Sequence, residues 1–164
     1  MNELDHLAWW FVGLIDGEGC FMIRRKTGRT LATAFMPTFS LVLRDDDAEA
    51  ILMVQEIMQF GIVKRRTFTS PGSHDGIGWH VYQQDELQQL VDFLDARPLR
   101  SKKAKDYKVW REAVLEYRKD VAARDGRKME YLFNKIRLVR QYEPSELMDD
   151  GYEPDSIQLE FWAN

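Results

Sequence analysis

The run Phe11-Val12-Gly13-Leu14-Ile15-Asp16-Gly17-Glu18-Gly19 constrains this chain more than any other segment. Asp5 is placed to cap a helix from about His6 to Asp16, with Leu7, Trp10, Phe11, Leu14 and Ile15 on a wide apolar face. Gly13 and Gly17, four positions apart, share one side of that helix and strip it of side chains. Each glycine costs a helix about 1 kcal/mol relative to alanine, a cost that close contact with a second backbone offsets. Gly17 and Gly19 end the helix, so Asp16 and Glu18 are held where helix gives way to strand. A helix stop followed by a solvated turn is the plainer account of the same spacing.

Downstream, hydrophobic periodicity alternates between two and 3.6. Cys20 to Gly28 reads as a strand with Phe21 and Ile23 on one side and Met22, Arg24 and Lys26 on the other. Thr27-Gly28-Arg29 makes a turn, and a second long strand runs from about Leu31 to Arg44, Pro37 marking an edge or bulge. Asp45-Asp46-Asp47 opens a helix through Ile51, Leu52, Val54, Ile57 and Met58, stopped by Gly61. The pattern then repeats: strand Ile62 to Thr69, loop Ser70 to Gly76, strand Ile77 to Gln83, and a helix capped by Asp85 through Leu87, Leu90, Val91 and Leu94. Arg97-Pro98 breaks it; further helices cover roughly Lys102 to Arg118 and Lys128 to Tyr142. This order, αββαββα with added C-terminal helices, predicts an α+β domain whose helices cover one face of a curved antiparallel sheet. The expected organisation is a core over 1–120, a helical extension over 121–142 and an acidic tail over 143–164, with one apolar anchor from Ile157 to Trp162.

A formal charge of −4 argues against a nucleic-acid partner until its distribution is considered. The tail from Glu143 holds seven acids and no Lys or Arg; without it, 23 bases face 20 acids. Between Cys20 and Arg44 lie five bases and no acid, and Lys64-Arg65-Arg66 and the stretch Arg97 to Lys108 add two more basic clusters. Polyanion binding follows local potential rather than net charge. A solvated surface explains any one cluster; three in one small domain favour binding. One cysteine, Cys20, builds neither a disulfide framework nor a multi-cysteine zinc site, which fits a reducing compartment. The apolar run Leu7 to Ile15 is too short to span a bilayer, so no membrane role is expected and an intracellular location is. His6, His74 and His80 lack metal-ligand spacing, and there is no nucleophile elbow or phosphate loop, which sets a metabolic hydrolase aside.

If two glycine-thinned helices pack about a two-fold axis, two Glu18 carboxylates meet near it. Like charges that close are unstable without cations between them. Divalent ions held by carboxylates and phosphate oxygens resolve the conflict and suit in-line phosphodiester hydrolysis.

The nonapeptide resembles the signature of the LAGLIDADG homing endonucleases at seven of nine positions, accepting Gly17 for Ala and Glu18 for Asp; Phe11 and Val12 depart from it. The alternating strand that follows, the αββαββα order and the later Pro98-Leu99 with Lys102-Lys103 strengthen the likeness, which extends over about residues 5–120. The resemblance implies a Mg2+-dependent double-strand endonuclease, Mn2+ or Ca2+ substituting in binding, that acts as a homodimer on a long near-palindromic DNA site and leaves 3′ overhangs of four nucleotides. It implies Glu18 as metal-binding carboxylate, the Gly17 carbonyl as a second ligand, and Lys103, or Lys102 in the alternative register, near the catalytic waters. Gly13, Gly17, Trp10 and Leu14 would form the dimer seam, and the host compartment would be a prokaryotic cytoplasm or an organelle. Some members carry a water-positioning glutamine at the end of the second strand; here that place is Leu43, with Arg44 as its possible substitute.

A ten-residue strand spans roughly 33 Å, close to the ~34 Å of one duplex turn, so such a sheet can follow one half-site in the major groove. Met22, Arg24, Lys26, Thr38, Ser40, Arg44, Lys64, Arg66 and His80 are the expected contacts, with Arg29, Lys102 and Lys105 beside them. The basic loop Arg25 to Arg29 is expected to hold phosphates, which positions the protein without specifying sequence. A maturase-like RNA-binding splicing factor and a noncatalytic DNA-binding regulator are the competing readings. The acidic tail is either a solvated extension or a DNA mimic laid over the basic face.

Overall fold

The computed structural model describes residues 3–67 and 74–141. Helix α1 (Glu3–Glu18) leads into strand β1 (Gly19–Arg25); a single turn α2 (Leu31–Ala34) precedes β2 (Phe35–Arg44). Then come α3 (Ala48–Met58), β3 (Ile62–Arg66), β4 (Gly76–Val81), α4 (Gln84–Asp95), α5 (Lys103–Tyr117) and α6 (Gly126–Val139). The four strands form one antiparallel sheet in the order β1-β2-β4-β3.

The architecture is the α+β sheet-and-helix arrangement expected from periodicity, with local differences. Glu3 to Glu18 is helical, so Asp5 lies in the first turn rather than at the cap, and Gly17 continues the helix it was expected to end. Leu31 to Ala34 coils before β2 begins, held by the Thr33 N–H donating to the Thr30 carbonyl at 2.9 Å. Asp85 sits inside the first turn of α4, where its charge favours the helix dipole without capping it. Asp125 does cap α6, accepting from the Arg127 and Lys128 amides. Pro37 is tolerated in a central strand because β4 ends where Val81 meets Phe39, which leaves Pro37 at a local edge. The end of the third predicted strand, most of the loop before β4 and the acidic tail lie outside the described residues.

Alternation puts Phe21 and Ile23 of β1, Phe39 and Leu41 of β2, and Ile77, Trp79 and Val81 of β4 on one side, all buried. There they meet Phe11, Val12 and Ile15 of α1, Leu87, Leu90 and Val91 of α4, Trp110 and Val114 of α5, and Met129, Leu132 and Ile136 of α6. Helix α6 thus contributes Met129, Leu132 and Ile136 to the same core. Glu116, buried at the end of α5, joins the two helices by accepting from the Asp125 amide at 2.8 Å and the Lys119 amine at 2.8 Å. Burial pushes its carboxyl up, but these partners and Lys128 outweigh that and hold it below its ordinary value.

Between α3 and β3 the chain reverses through two left-handed residues, Gln59 and Gly61, the latter with φ +79°. A Cβ on Gly61 would lie 2.5 Å from the Trp79 indole nitrogen, which donates to the Phe60 carbonyl at 2.8 Å. Gly61→Ala is therefore expected to destabilise the fold by about 1–3 kcal/mol through left-handed strain alone, with the clash adding to it. Urea unfolding measures this, and a midpoint equal to that of the parent chain would contradict it.

Candidate functional site

The opposite face of the sheet carries no helix among the described residues. Register places Cys20, Met22 and Arg24 of β1 beside Ser40, Thr38 and Met36 of β2. Ser40 and Val42 of β2 lie beside His80 and Gly78 of β4, which in turn meet Ile62 and Lys64 of β3. Met22, Arg24, Thr38, Ser40, Lys64, Arg66 and His80 therefore share this face, as alternation predicted. Arg24, Lys64 and Arg66 are exposed, whereas Thr38 and Ser40 are only 4% and 6% accessible and form the floor. Met36 and Tyr82 join Arg24, Thr38, Lys64 and His80 around a depression of about 180 Å³, and the Lys64 amine lies 5.7 Å from the Tyr82 ring centre. Met36 is two residues from Thr38, so the same alternation that selects Thr38 selects it too.

Lys26 and Arg29 sit in the exposed turn after β1, where Gly28 takes φ +69° and the Lys26 amide donates to the Ala34 carbonyl at 2.7 Å. Arg44, at the far end of β2, is engaged by Asp46 through both its Nε and Nη2, and that pairing raises its pKa. Leu43 faces the core, opposite Ile77, because it is two residues from buried Leu41. The open-face positions at this end are Val42 and Arg44, so Leu43, expected at a water-positioning place, is turned away from that face.

At the end of α1 the two acids of the signature segment diverge. Asp16 is turned inward to the α4–α5 connection: its carboxylate accepts the Arg100 amide at 2.9 Å, the Ser101 amide at 2.9 Å and the Ser101 hydroxyl at 2.6 Å. Burial would raise its pKa; the Ser101 and Arg100 hydrogen bonds and the charge of Lys103 outweigh that and leave the carboxyl below its ordinary value. Glu18 is exposed and makes no hydrogen bond or ion pair among the described residues. Lys102 and Lys103 line a cavity of about 350 Å³ with Asp16, Ser101, Asp106 and Arg140. The Lys102 amine donates to the Gln141 carbonyl at 2.7 Å, whereas Lys103 is half-buried and its charge contributes to lowering the Asp16 pKa. Lys105 lies exposed on α5. Ser101 and Arg140 escaped sequence reasoning because their partners, Asp16 and Asp106, are 85 and 34 positions away.

Along α1, Trp10 is 39% exposed and Leu14 half-buried, although both were expected on a single apolar face. A Cβ added to Gly13 or Gly17 would meet nothing within 4 Å, so Trp10, Gly13 and Gly17 face outward, while Leu14 lies at the margin and packs against the core. No three His, Cys, Asp or Glu side chains among the described residues converge on a possible metal position. A divalent ion with a full oxygen shell would therefore need donors beyond those the described residues of one chain bring together.

Burial, then the neighbouring charges of Lys64 and Arg24, lower the His80 pKa, so the ring is neutral at pH 7. The unfolded chain binds this proton more readily, hence His80 contributes stability above pH 6.5 that is lost as pH falls toward its depressed folded value. His80→Gln is expected to reduce the drop in melting temperature between pH 7.5 and pH 5. An unchanged drop would count against this assignment.

The segment matched by the model of the LAGLIDADG endonuclease family is 11–114, well over half of the chain. The probable intron-encoded endonuclease Cox1-I1b of Schizosaccharomyces pombe is 23% identical over 140 residues, 84% of this chain and 35% of that protein. The chain spans about a third or less of the length of the curated relatives it matches. Among solved structures, the archaeal intron-encoded homing endonuclease I-Vdi141I complexed with DNA superposes with a TM-score of 0.69 at 18% identity, over 90% of this chain and 93% of that one. I-SmaMI, bound to an uncleaved DNA target in the presence of calcium ions, gives 0.67 at 18% identity over 87% of this chain and 47% of its own. These likenesses establish the fold. No helix among the described residues is long and apolar enough to cross a membrane. With the family match running from the glycine-thinned end of α1 through most of α5, the chain belongs to the LAGLIDADG endonuclease family.

Proposed function

We propose that this chain is a site-specific homing endonuclease that pairs with a second copy of itself and makes a divalent-metal-dependent double-strand break in a long near-palindromic DNA site. The observation that carries the reading is the outward glycine-thinned stripe of α1, which ends in an unengaged Glu18 beside an uncovered basic sheet face. The DNA and calcium named for I-SmaMI, and the DNA named for I-Vdi141I, agree with it.

In this reading two α1 helices meet along Trp10, Gly13, Leu14 and Gly17. Each chain lays its open face along one half-site. Arg24, Lys64, Arg66 and His80 reach toward the major groove over a floor of Met22, Thr38 and Ser40. Lys26 and Arg29 hold phosphates beyond it, with Lys102 and Lys105 as further backbone contacts. Arg44 reaches DNA only by leaving Asp46. Glu18 and the Gly17 carbonyl would hold Mg2+, for which Mn2+ or Ca2+ could stand in during binding. Such an ion, when bound, polarises the scissile phosphate and lowers the pKa of water. Lys103 supplies positive charge where negative charge develops on that phosphate. Lys102 is the weaker choice for this role because its amine is occupied by the Gln141 carbonyl.

Incubating the chain with a linear library of near-palindromic DNA and MgCl2, then sequencing the cut ends, tests the activity. Glu18→Gln is expected to lower cleavage by about a hundredfold or more, the scale of losing one charge-stabilising group, while DNA binding persists. Lys103→Ala should cost more than Lys102→Ala. Binding without cleavage in the parent chain would instead identify a noncatalytic DNA-binding protein, and selective RNA binding a splicing factor.

Pairing has its own test. Because a Cβ at Gly13 would meet nothing within 4 Å among the described residues, Gly13→Leu raises helix propensity and places its bulk on the outward side of α1. Sedimentation is expected to show a dimer for the parent and a monomer of unchanged far-ultraviolet circular dichroism for the variant. A variant that still dimerises would move the seam elsewhere.

A further inference from the structure

Asp16 is bound to backbone and hydroxyl groups that immediately precede α5, on which Lys103 stands. Its Oδ2 accepts the Arg100 amide at 2.9 Å and the Ser101 amide at 2.9 Å, while its Oδ1 accepts the Ser101 hydroxyl at 2.6 Å. With its proton committed to Asp16, the Ser101 oxygen accepts the Lys103 amide at 3.2 Å. Ser101 thus precedes the α5 N-cap position, Lys102, and holds the first α5 amide through its hydroxyl oxygen, while a carboxylate from another helix sets its orientation. Asp16 and Glu18 are two residues apart, so one end of α1 carries both the exposed carboxylate and the anchor for the lysine. On its other flank the α5 start is tethered to the end of α6, by the Lys102 amine on the Gln141 carbonyl at 2.7 Å and by Arg140 Nε on Asp106 at 3.1 Å. Residues 140 and 141 lie beyond the segment matched by the family model, which ends at 114.

We infer that Asp16 is a positioning residue for cleavage, acting through Ser101 to register Lys103 against Glu18. The inference rests on the endonuclease reading. A merely structural contact would stabilise the start of α5 without regard to Lys103; this one, between Asp16 and Ser101, ties the helix end that carries Glu18 to the residue whose hydroxyl holds the Lys103 amide. Displacing a reacting group by about 1 Å costs on the order of a hundredfold in rate. Loss of the Ser101 hydroxyl, which leaves the two amide bonds to Asp16 in place, should cost less than loss of the carboxylate.

A double-mutant cycle in single-turnover cleavage, with chain in excess over a library-selected DNA site in MgCl2, measures the coupling. Ser101→Ala is expected to slow cleavage about tenfold and Asp16→Asn more, with the DNA dissociation constant within twofold of the parent and Ser101→Thr restoring the rate. In a Lys103→Ala background neither substitution should slow cleavage further. Equal losses with and without Lys103, or a parent-like rate for Asp16→Asn, would overturn the inference. Amide hydrogen exchange provides a readout independent of cleavage: Asp16→Asn should speed exchange at Arg100, Ser101 and Lys103 at least tenfold while leaving Trp79 and Trp110 unchanged. Unchanged exchange at those three amides overturns the latch itself. A parent chain that cleaves nothing overturns the endonuclease reading and the catalytic consequence together.

Discussion

The molecule depends on an aromatic layer buried against one side of a thin sheet. Phe21 and Phe39, on neighbouring strands, approach to 5.0 Å between ring centres. Trp110 of α5 closes over Phe21 at 5.2 Å, and Trp79 of β4 lies 5.8 Å from Phe39 and 5.7 Å from Phe11 of α1. Rings of this size remove the most apolar surface from water per residue. Both indole nitrogens find carbonyl partners, Phe60 and Thr38, so the layer is dry without leaving these donors unpaired. With α1, α4, α5 and α6 all contributing to this side, the other face of the strands is left to solvent or to a partner.

That uncovered face separates the chain's chemistry from its net charge. A chain of formal charge −4 has an acid-free stretch from Cys20 to Arg44, and alternation delivers Arg24, Lys64 and Arg66 to one surface. Local potential governs how a polyanion is met, so the overall acidity is no obstacle. The floor of the face is not uniformly polar: Met22, Met36, Val42 and Ile62 intersperse the cations.

Helix α1 has two unlike faces. Phe11, Val12 and Ile15 are buried in the core, while Trp10, Gly13 and Gly17 are turned out with open space above the glycines. The helix ends in two carboxylates with different tasks. Asp16 is satisfied internally and ties α1 to the start of α5; Glu18 is exposed and unengaged among the described residues. Division of labour between acids two residues apart follows from helical geometry, which points them about 200° apart around the axis.

Much of this was legible in the sequence. Period-two alternation is a local property, so the sides taken by Phe21, Phe39, Met22, Thr38 and Lys64 follow from chain order alone. The helix–strand–strand order and the exposed basic turn around Arg29 were equally visible. Other features depend on partners distant in sequence. Trp10 faces outward only because Phe11 and Ile15 take the core; Leu31 to Ala34 coils although its composition allows a strand, packed against α6 nearly a hundred residues on. Leu43 faces the core as the same alternation through Phe39 and Leu41 requires, which the place assigned to it from the family resemblance overlooked. The Asp16–Ser101 contact has no local signal. Local rhythm thus decided which residues share a face; only long-range packing decided strand order, which face stays open, and which acid of the signature segment is spent inside the fold.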